Sequence, residues 1–509
     1  MTNPPVAKTP LSKLVVTVSS LLLASCSLAP DLIMPDTQTP PAFKEATKPL
    51  GKDEKIADGA WKSANVGAVI GGEWWTIFND KQLNELIIEA KKQSPTLEAA
   101  AQRLAQARAR AGVSESAIFP RLDIGAGPTI GQPSSISTGT PHGTVPATQY
   151  RYKAQGTISY DVDLFGANRS ASSAADLTAL GEEASYLAAM LSLEADVTQA
   201  YYALRALDRE QEILNTTQKL REETRDLTKR SLKIGDVSEL DVTRAESELA
   251  ATKAEALGVS RRRAEAEHNL ALLMGKPPAA LNMTKNAIRG VPPIVPAGLP
   301  SELLERRPDI QVAEKKMAAA NESIGVARAA FFPVLNLTAT GGFESGQLGQ
   351  LFDWSSRTWL LGPLVGTLIT MPVFDAGKNF SNLALTKAQF QEAVANYRQS
   401  VLVAFREVED QLSGLRYLKG EADAQAENVR AGRKAFSIAK IRYENGYISY
   451  LDFIDAQRSL LAAERAEVQV LGGRYVATIQ LIRALGGSWS SSNAAVPAPQ
   501  ADSTSKVSH

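Results

Sequence analysis

Thiols, imidazoles and net charge are all scarce in this chain. Its 509 residues include one cysteine, Cys26, and three scattered histidines, His142, His268 and His509. That spacing offers no metal cluster, and beyond Cys26 there is no thiol nucleophile. No Walker loop or dinucleotide fingerprint occurs either, so no enzyme and no metal site are expected. Lys plus Arg number 55 and Asp plus Glu 55, leaving no global field to attract nucleic acid. The one basic run, Arg261 to Arg263, reads as a solvated helix face with Glu265 and Glu267 nearby. Long apolar runs are also missing: none reaches the ~20 residues that a transmembrane helix needs.

The N-terminus carries a shorter apolar run, Leu14 to Leu23, preceded by Lys8 and Lys13, which has the length of a signal peptide. It leads into Leu23-Ala-Ser-Cys26, where small residues precede the cysteine as in a bacterial lipobox. Cys26 is therefore the expected lipid attachment point, becoming a diacylated N-terminus that also carries an acyl chain. The mature chain would then hold no thiol, which suits an oxidising periplasm. Ser27, where an aspartate could have stood, resembles the signal for delivery to the outer membrane.

The remainder is written nearly twice. Lys233 to Asp241 recurs as Glu444 to Asp452, with Gly235 and Gly446, Ser238 and Ser449, and Asp241 and Asp452 all at an offset of 211 positions. Phe119-Pro120 meets Phe332-Pro333 and Phe165 meets Phe374 at nearly the same offset, so a domain-sized element is duplicated. Each copy predicts a long helix rich in Ala, Leu, Glu, Arg and Gln, over about 167–233 and 378–443. Some 65 residues at 1.5 Å each make it ~100 Å long. Gly235 and Gly446 close these helices, and Ser-x-x-Asp restarts the chain toward return helices over 238–274 and 449–485. The result is two helical hairpins with tight tips.

A two-residue period replaces the helical one between these segments. From Tyr150 to Val162 every even position is apolar, aromatic or glycine and every odd one polar. Arg121 to Gly127 and Leu335 to Gly341 alternate likewise, and a fourth segment, Thr358 to Val373, alternates poorly around Pro363. Charged polar faces, membrane-strand length and aromatics near the ends (Tyr150, Tyr152, Tyr160, Trp354, Trp359) point to strands with lipid on one side and water on the other. Four strands are too few to close a barrel, so further copies must supply the rest. Two chains would give eight strands and three would give twelve; a water-filled interior favours the wider barrel.

Trp74 to Asp80, Leu299 to Ile310, Ala327 to Pro333, Ala404 to Asp410 and Leu451 to Arg458, in this order along the chain, resemble the TolC-like outer-membrane factors. Within that family the likeness is to the lipoprotein (NodT-type) branch serving resistance-nodulation-division efflux pumps, and it spans about 60–487. The resemblance implies a mixed α and β fold in a homotrimer: a twelve-stranded outer-membrane β-barrel, four strands per chain, continuous with a long periplasmic α-helical barrel. It also implies docking to a periplasmic adaptor (membrane fusion) protein and an inner-membrane pump, with no cofactor beyond the lipid on Cys26.

By the same resemblance the periplasmic gate falls on Tyr443, Leu451 and Asp455, and the adaptor-contact tips on Gly235, Val237, Ser238, Gly446, Ile448 and Ser449. Leu451, Asp455 and Arg458 share one helix face, so a threefold axis would gather three Asp455 carboxylates into a cation-favouring ring. Arg244 stands at the matching place in the first repeat. The expected boundaries are a lipoprotein signal peptide over 1–25, a lipidated and equatorial segment over 26–79, a first repeat over 80–290, a second over 291–487 and a disordered tail over 488–509. The expected function is the exit duct of a tripartite efflux pump exporting drugs or other small molecules, in the outer membrane of a Gram-negative bacterium. A type I-like protein secretion duct and a non-conducting lipid-anchored envelope tether are the competing readings.

Overall fold

The structure, a computed structural model, describes residues 27–37, 39–45, 72–132, 147–295, 304–362 and 369–487. Cys26, His142, the signal segment and the tail lie outside them. The principal elements are α1 (Lys81–Gln93), α2 (Pro95–Ser116), β1 (Arg121–Gly131), β2 (Gln149–Val162), α3 (Ala167–Lys233), α4 (Glu239–Leu273), α5 (Pro308–Ala329), β3 (Val334–Ser345), β4 (Arg357–Leu361), β5 (Ile369–Thr370), α6 (Lys378–Glu444) and α7 (Tyr450–Ala484). The chain divides into two compact units: Met1–Pro35, Ala105–Glu182 and Ala313–Tyr397 in one, and Asp36–Leu104, Glu183–Val312 and Arg398–His509 in the other. Each unit draws segments from both halves of the chain.

The first unit holds the sheet, antiparallel in the order β1-β2-β3-β4, with β5 also on β3. The fourth expected strand is thus described as two pieces. Leu361 pairs with Ala339 and Ile369 with Leu335, on either side of the stretch that begins at Pro363. Residues 363–368 between the two pieces lie outside the described residues. The chain following residue 26 packs into this unit. Arg328 Nη1 donates to the Leu28 carbonyl at 3.0 Å and Asn321 Nδ2 to that of Pro30 at 2.6 Å. Gly325 admits this approach because a Cβ there would come within 2.8 Å of the Ala29 nitrogen.

In the second unit each long helix and its return helix form a hairpin. α3 and α6 have 67 residues each, α4 and α7 35 each. Both tips have the same hydrogen-bonded closure. The Gly235 and Asp236 amides reach back to Leu232 and Ser231, as those of Gly446 and Tyr447 do to Tyr443 and Arg442. This paired closure needs a left-handed residue, and Gly235 (φ +74°) and Gly446 (φ +75°) supply it. Ser238 with Asp241, and Ser449 with Asp452, then form complete capping boxes.

The core of this unit is aromatic. Trp74, Trp75 and Tyr201 are buried, and Tyr202 stacks on Tyr475 at 4.3 Å. Trp74 Nε1 donates to Glu194 at 2.9 Å, and Lys91 faces the other carboxylate oxygen at 2.9 Å. Burial pushes the Glu194 carboxyl up, against the opposing pull of Lys91. Arg307 is buried as well, bonded to Asp309, Glu407 and the Ala484 carbonyl. The Trp74 and Arg307 motifs are therefore packing and anchoring devices. The 261–263 basic run differs from expectation: Arg262 and Arg263 turn toward Glu210 and Asp208 of α3, which sequence proximity alone could not reveal.

Candidate functional site

The sheet separates apolar from polar chemistry row by row. On one face Leu122 is opposite Ile158, Ala126 opposite Ala154, Tyr160 opposite Leu337, and Trp359 opposite Gly341. On the other, Asp123 is opposite Thr157, Thr129 opposite Arg151, Lys153 opposite Glu344, and Asp161 opposite Asn336. Antiparallel partners share a face, so the register keeps most rows of one chemistry across β1, β2 and β3. No described layer covers the apolar face: Ile124 is 85% exposed, Trp359 81% and Leu361 77%. A sheet of a water-soluble domain would bury such a face. The polar face is cross-linked, with Arg151 at 2.7 Å and Lys153 at 3.4 Å from Glu344.

In the other unit the two hairpin tips meet around a cavity of about 620 Å³. Gly235, Val237, Ser238, Gly446, Ile448 and Ser449 all line it, together with Tyr443 and Leu451. The structure thus brings together residues more than 200 positions apart. Tyr443 lies in the packing between helices: its ring stacks on Phe453 at 5.0 Å and its hydroxyl sits 3.3 Å from Thr228 Oγ1. Burial raises the Tyr443 pKa and pushes that of neighbouring Tyr450 to about 12, so both hydroxyls stay protonated at physiological pH. Leu451 is half exposed and Asp455 exposed. Arg458, one turn along α7, gives its guanidinium to Glu248 of α4 instead, with Nε at 3.0 Å. Asp455 makes no ion pair among the described residues.

Sequence reasoning missed the buried network behind this site. Arg221 of α3 contacts the Glu248 carboxylate at 3.0 Å and also the Thr252 hydroxyl, while Gln457 and Arg458 approach from α7. Burial pulls the Arg221 pKa down while Glu248 pulls it back up. A signal was present in the heptad: Glu248 and Glu255 on α4 meet Arg458 and Arg465 on α7, two rungs at one offset.

A two-faced sheet whose apolar side no described layer covers, in a chain that also builds long helical hairpins, fits an outer-membrane channel protein. No described helix is long and apolar enough to cross a membrane. The family model for outer membrane efflux proteins matches residues 86–276 and again 299–487, and the chain belongs to that family. The probable efflux pump outer membrane protein TtgC of Pseudomonas putida is 34% identical over 480 residues, covering 94% of this chain and 96% of its own. The cation efflux system protein CusC of Escherichia coli is 31% identical over 473 residues, covering 92% and 97%. Among solved structures, the outer-membrane channel OprN is 30% identical with a TM-score of 0.80, covering 91% of this chain and 100% of its own. The Campylobacter jejuni CmeC channel is 26% identical with a TM-score of 0.81, covering 91% and 95%. The chain is the outer-membrane exit duct of a tripartite efflux pump, and its family is one of transport channels.

Proposed function

We propose that three copies close a twelve-stranded barrel and a helical tube, through which small molecules delivered by a periplasmic adaptor and an inner-membrane pump leave the cell. The observation that carries this is the two-faced sheet. Among the described residues both outer strands of one protomer have no partner on their far side, so lipid would meet bare backbone polar groups unless neighbouring copies supplied the missing ladders. The duplication gives each chain two hairpins, hence six around a threefold axis. The tips, small and partly apolar, are where the adaptor docks.

The gate in this reading is Leu451 and Asp455 of three copies, held by Tyr443 and the Arg221–Glu248–Arg458 network. Lipidation at Cys26 is supported by the docking of its immediate successors. Ser27 Oγ lies 3.2 Å from Ser170 Oγ, and Leu28 is bound by Arg328, six residues before β3 begins. An anchor there would enter the bilayer beside the strands. Relatives are named for toluene, antibiotic and cation efflux, and we assign small molecules as the class of cargo. The test is planar-bilayer recording of the purified mature protein with its mass measured in parallel. Trimers giving discrete cation-selective steps are expected, whereas silent trimers would leave a tether.

A further inference from the structure

The charges of the sheet are distributed unevenly between its faces. Arg121, Asp123, Arg151, Lys153, Asp161 and Glu344 all stand on the polar rows, and Arg121, Arg151 and Lys153 each have a carboxylate partner there. One cation breaks the pattern. Arg357, the first residue of β4, is directly opposite Phe343, in the row that runs on through Ala154 on the apolar side. Its guanidinium lies 3.1 Å from the Trp354 ring centre, and its Nε donates to the Trp354 carbonyl at 2.7 Å. Those contacts fix its orientation but leave Nη1 and Nη2 with no acceptor among the described residues. Phe352, itself exposed, packs on Phe343 at 5.7 Å, so the turn between β3 and β4 also leans onto the apolar side.

This end of the sheet is the distal one. α2, α3, α5 and α6 join the strands at the opposite end, whereas the paired ends Gly131 and Gln149 of β1 and β2 and the turn between β3 and β4 lie here. In an outer-membrane channel reaching into the periplasm, the distal end faces the outer leaflet. An arginine at a lipid-facing rim, stacked on an aromatic ring and with no carboxylate partner among the described residues, offers its free guanidinium nitrogens to an anion from the bilayer. The outer leaflet of such a membrane presents phosphates on a glycolipid.

We infer that Arg357 and Trp354 form a docking site for the phosphate headgroup of an outer-leaflet glycolipid, continuous with the lipid-facing surface of the sheet. The inference rests on reading that surface as a membrane wall. A charge-assisted bond of this kind contributes enough to favour the phosphorylated ligand by roughly tenfold. The experiment is native mass spectrometry of the purified full-length protein with bisphosphorylated lipid A, its dephosphorylated form and phosphatidylglycerol, comparing wild type, Arg357→Gln, Trp354→Ala and Lys153→Gln. Preferential retention of the bisphosphorylated form, lost in R357Q, weakened in W354A and intact in K153Q, is expected. Equal retention of the three lipids by wild type, or a preference that survives in R357Q, overturns the inference alone. Failure of wild type to retain any lipid overturns the membrane reading with it.

Discussion

At the scale of single residues, glycines with the same backbone angle have different jobs. Gly235 closes a tip with φ +74° and open space where a Cβ would be. Gly275 has φ +69°, but a Cβ there would overlap the Gln93 carbonyl oxygen and come within 2.9 Å of Pro95. Its repeat counterpart Gly486 crowds the Arg306 carbonyl at 2.9 Å. A left-handed alanine costs about 1–2 kcal/mol, and forced overlap adds a comparable amount. Gly275→Ala and Gly486→Ala are therefore expected to lower the apparent melting temperature of the purified protein clearly more than Gly235→Ala; equal shifts would show that the close approach yields without cost. Asp455 is argued at the same scale. Its exposed carboxylate is not neutralised by Arg458, which Glu248 holds, so a ring of three would retain its charge at a narrow entrance. Asp455→Ala is expected to raise single-channel conductance and lower cation selectivity in planar bilayers, and unchanged traces would remove the ring.

At the scale of elements, hairpins lie against one another through buried charge. Glu248 serves two arginines, Arg221 from α3 and Arg458 from α7, and its side chain is only 13% exposed. Removing the shared carboxylate leaves the buried Arg221 guanidinium without its counterion, at a cost of about 3 kcal/mol. Glu248→Gln is thus expected to loosen α7 from α4, seen as faster amide exchange near 453–461 and larger conductance, with the sheet unaffected. Slow exchange throughout that stretch would mean that Phe453 and Ile454 packing suffices. This network shows where sequence reading stopped. Helix ends were legible, because Gly235, Gly446, Ser238 and Ser449 act on neighbours within four positions. Strand faces were legible too, since alternation is local. Contacts such as Arg221 with Gln457, 236 positions apart, depend on how hairpins pack, and no local period encodes that. The same limit hid the seating of Leu28 on Arg328, and Pro363 blurred the fourth strand.

At the scale of the whole molecule, the question is which solvent meets each side of the sheet. Ala126 and Gly125 are adjacent mid-strand residues of β1 on opposite faces, both exposed in the protomer. A Cβ at Gly125 meets nothing within 4 Å. Were both faces wet, arginine at either position would change stability by no more than about 0.5 kcal/mol, as exposed surface substitutions do. In a barrel wall the outcomes separate. Arginine at a lipid-facing position near the bilayer midplane costs about 2–4 kcal/mol per chain, and closure of three chains would triple that burden. The lumen-facing position keeps the charge in water, where Arg151 and Lys153 already project. Ala126→Arg is therefore expected to abolish heat-resistant oligomers in the outer-membrane fraction and to lower the urea midpoint in lipid vesicles. Gly125→Arg is expected to assemble normally and carry an altered current. Equal tolerance of the two substitutions would mean that the apolar rows do not face lipid, and the barrel would have to be abandoned.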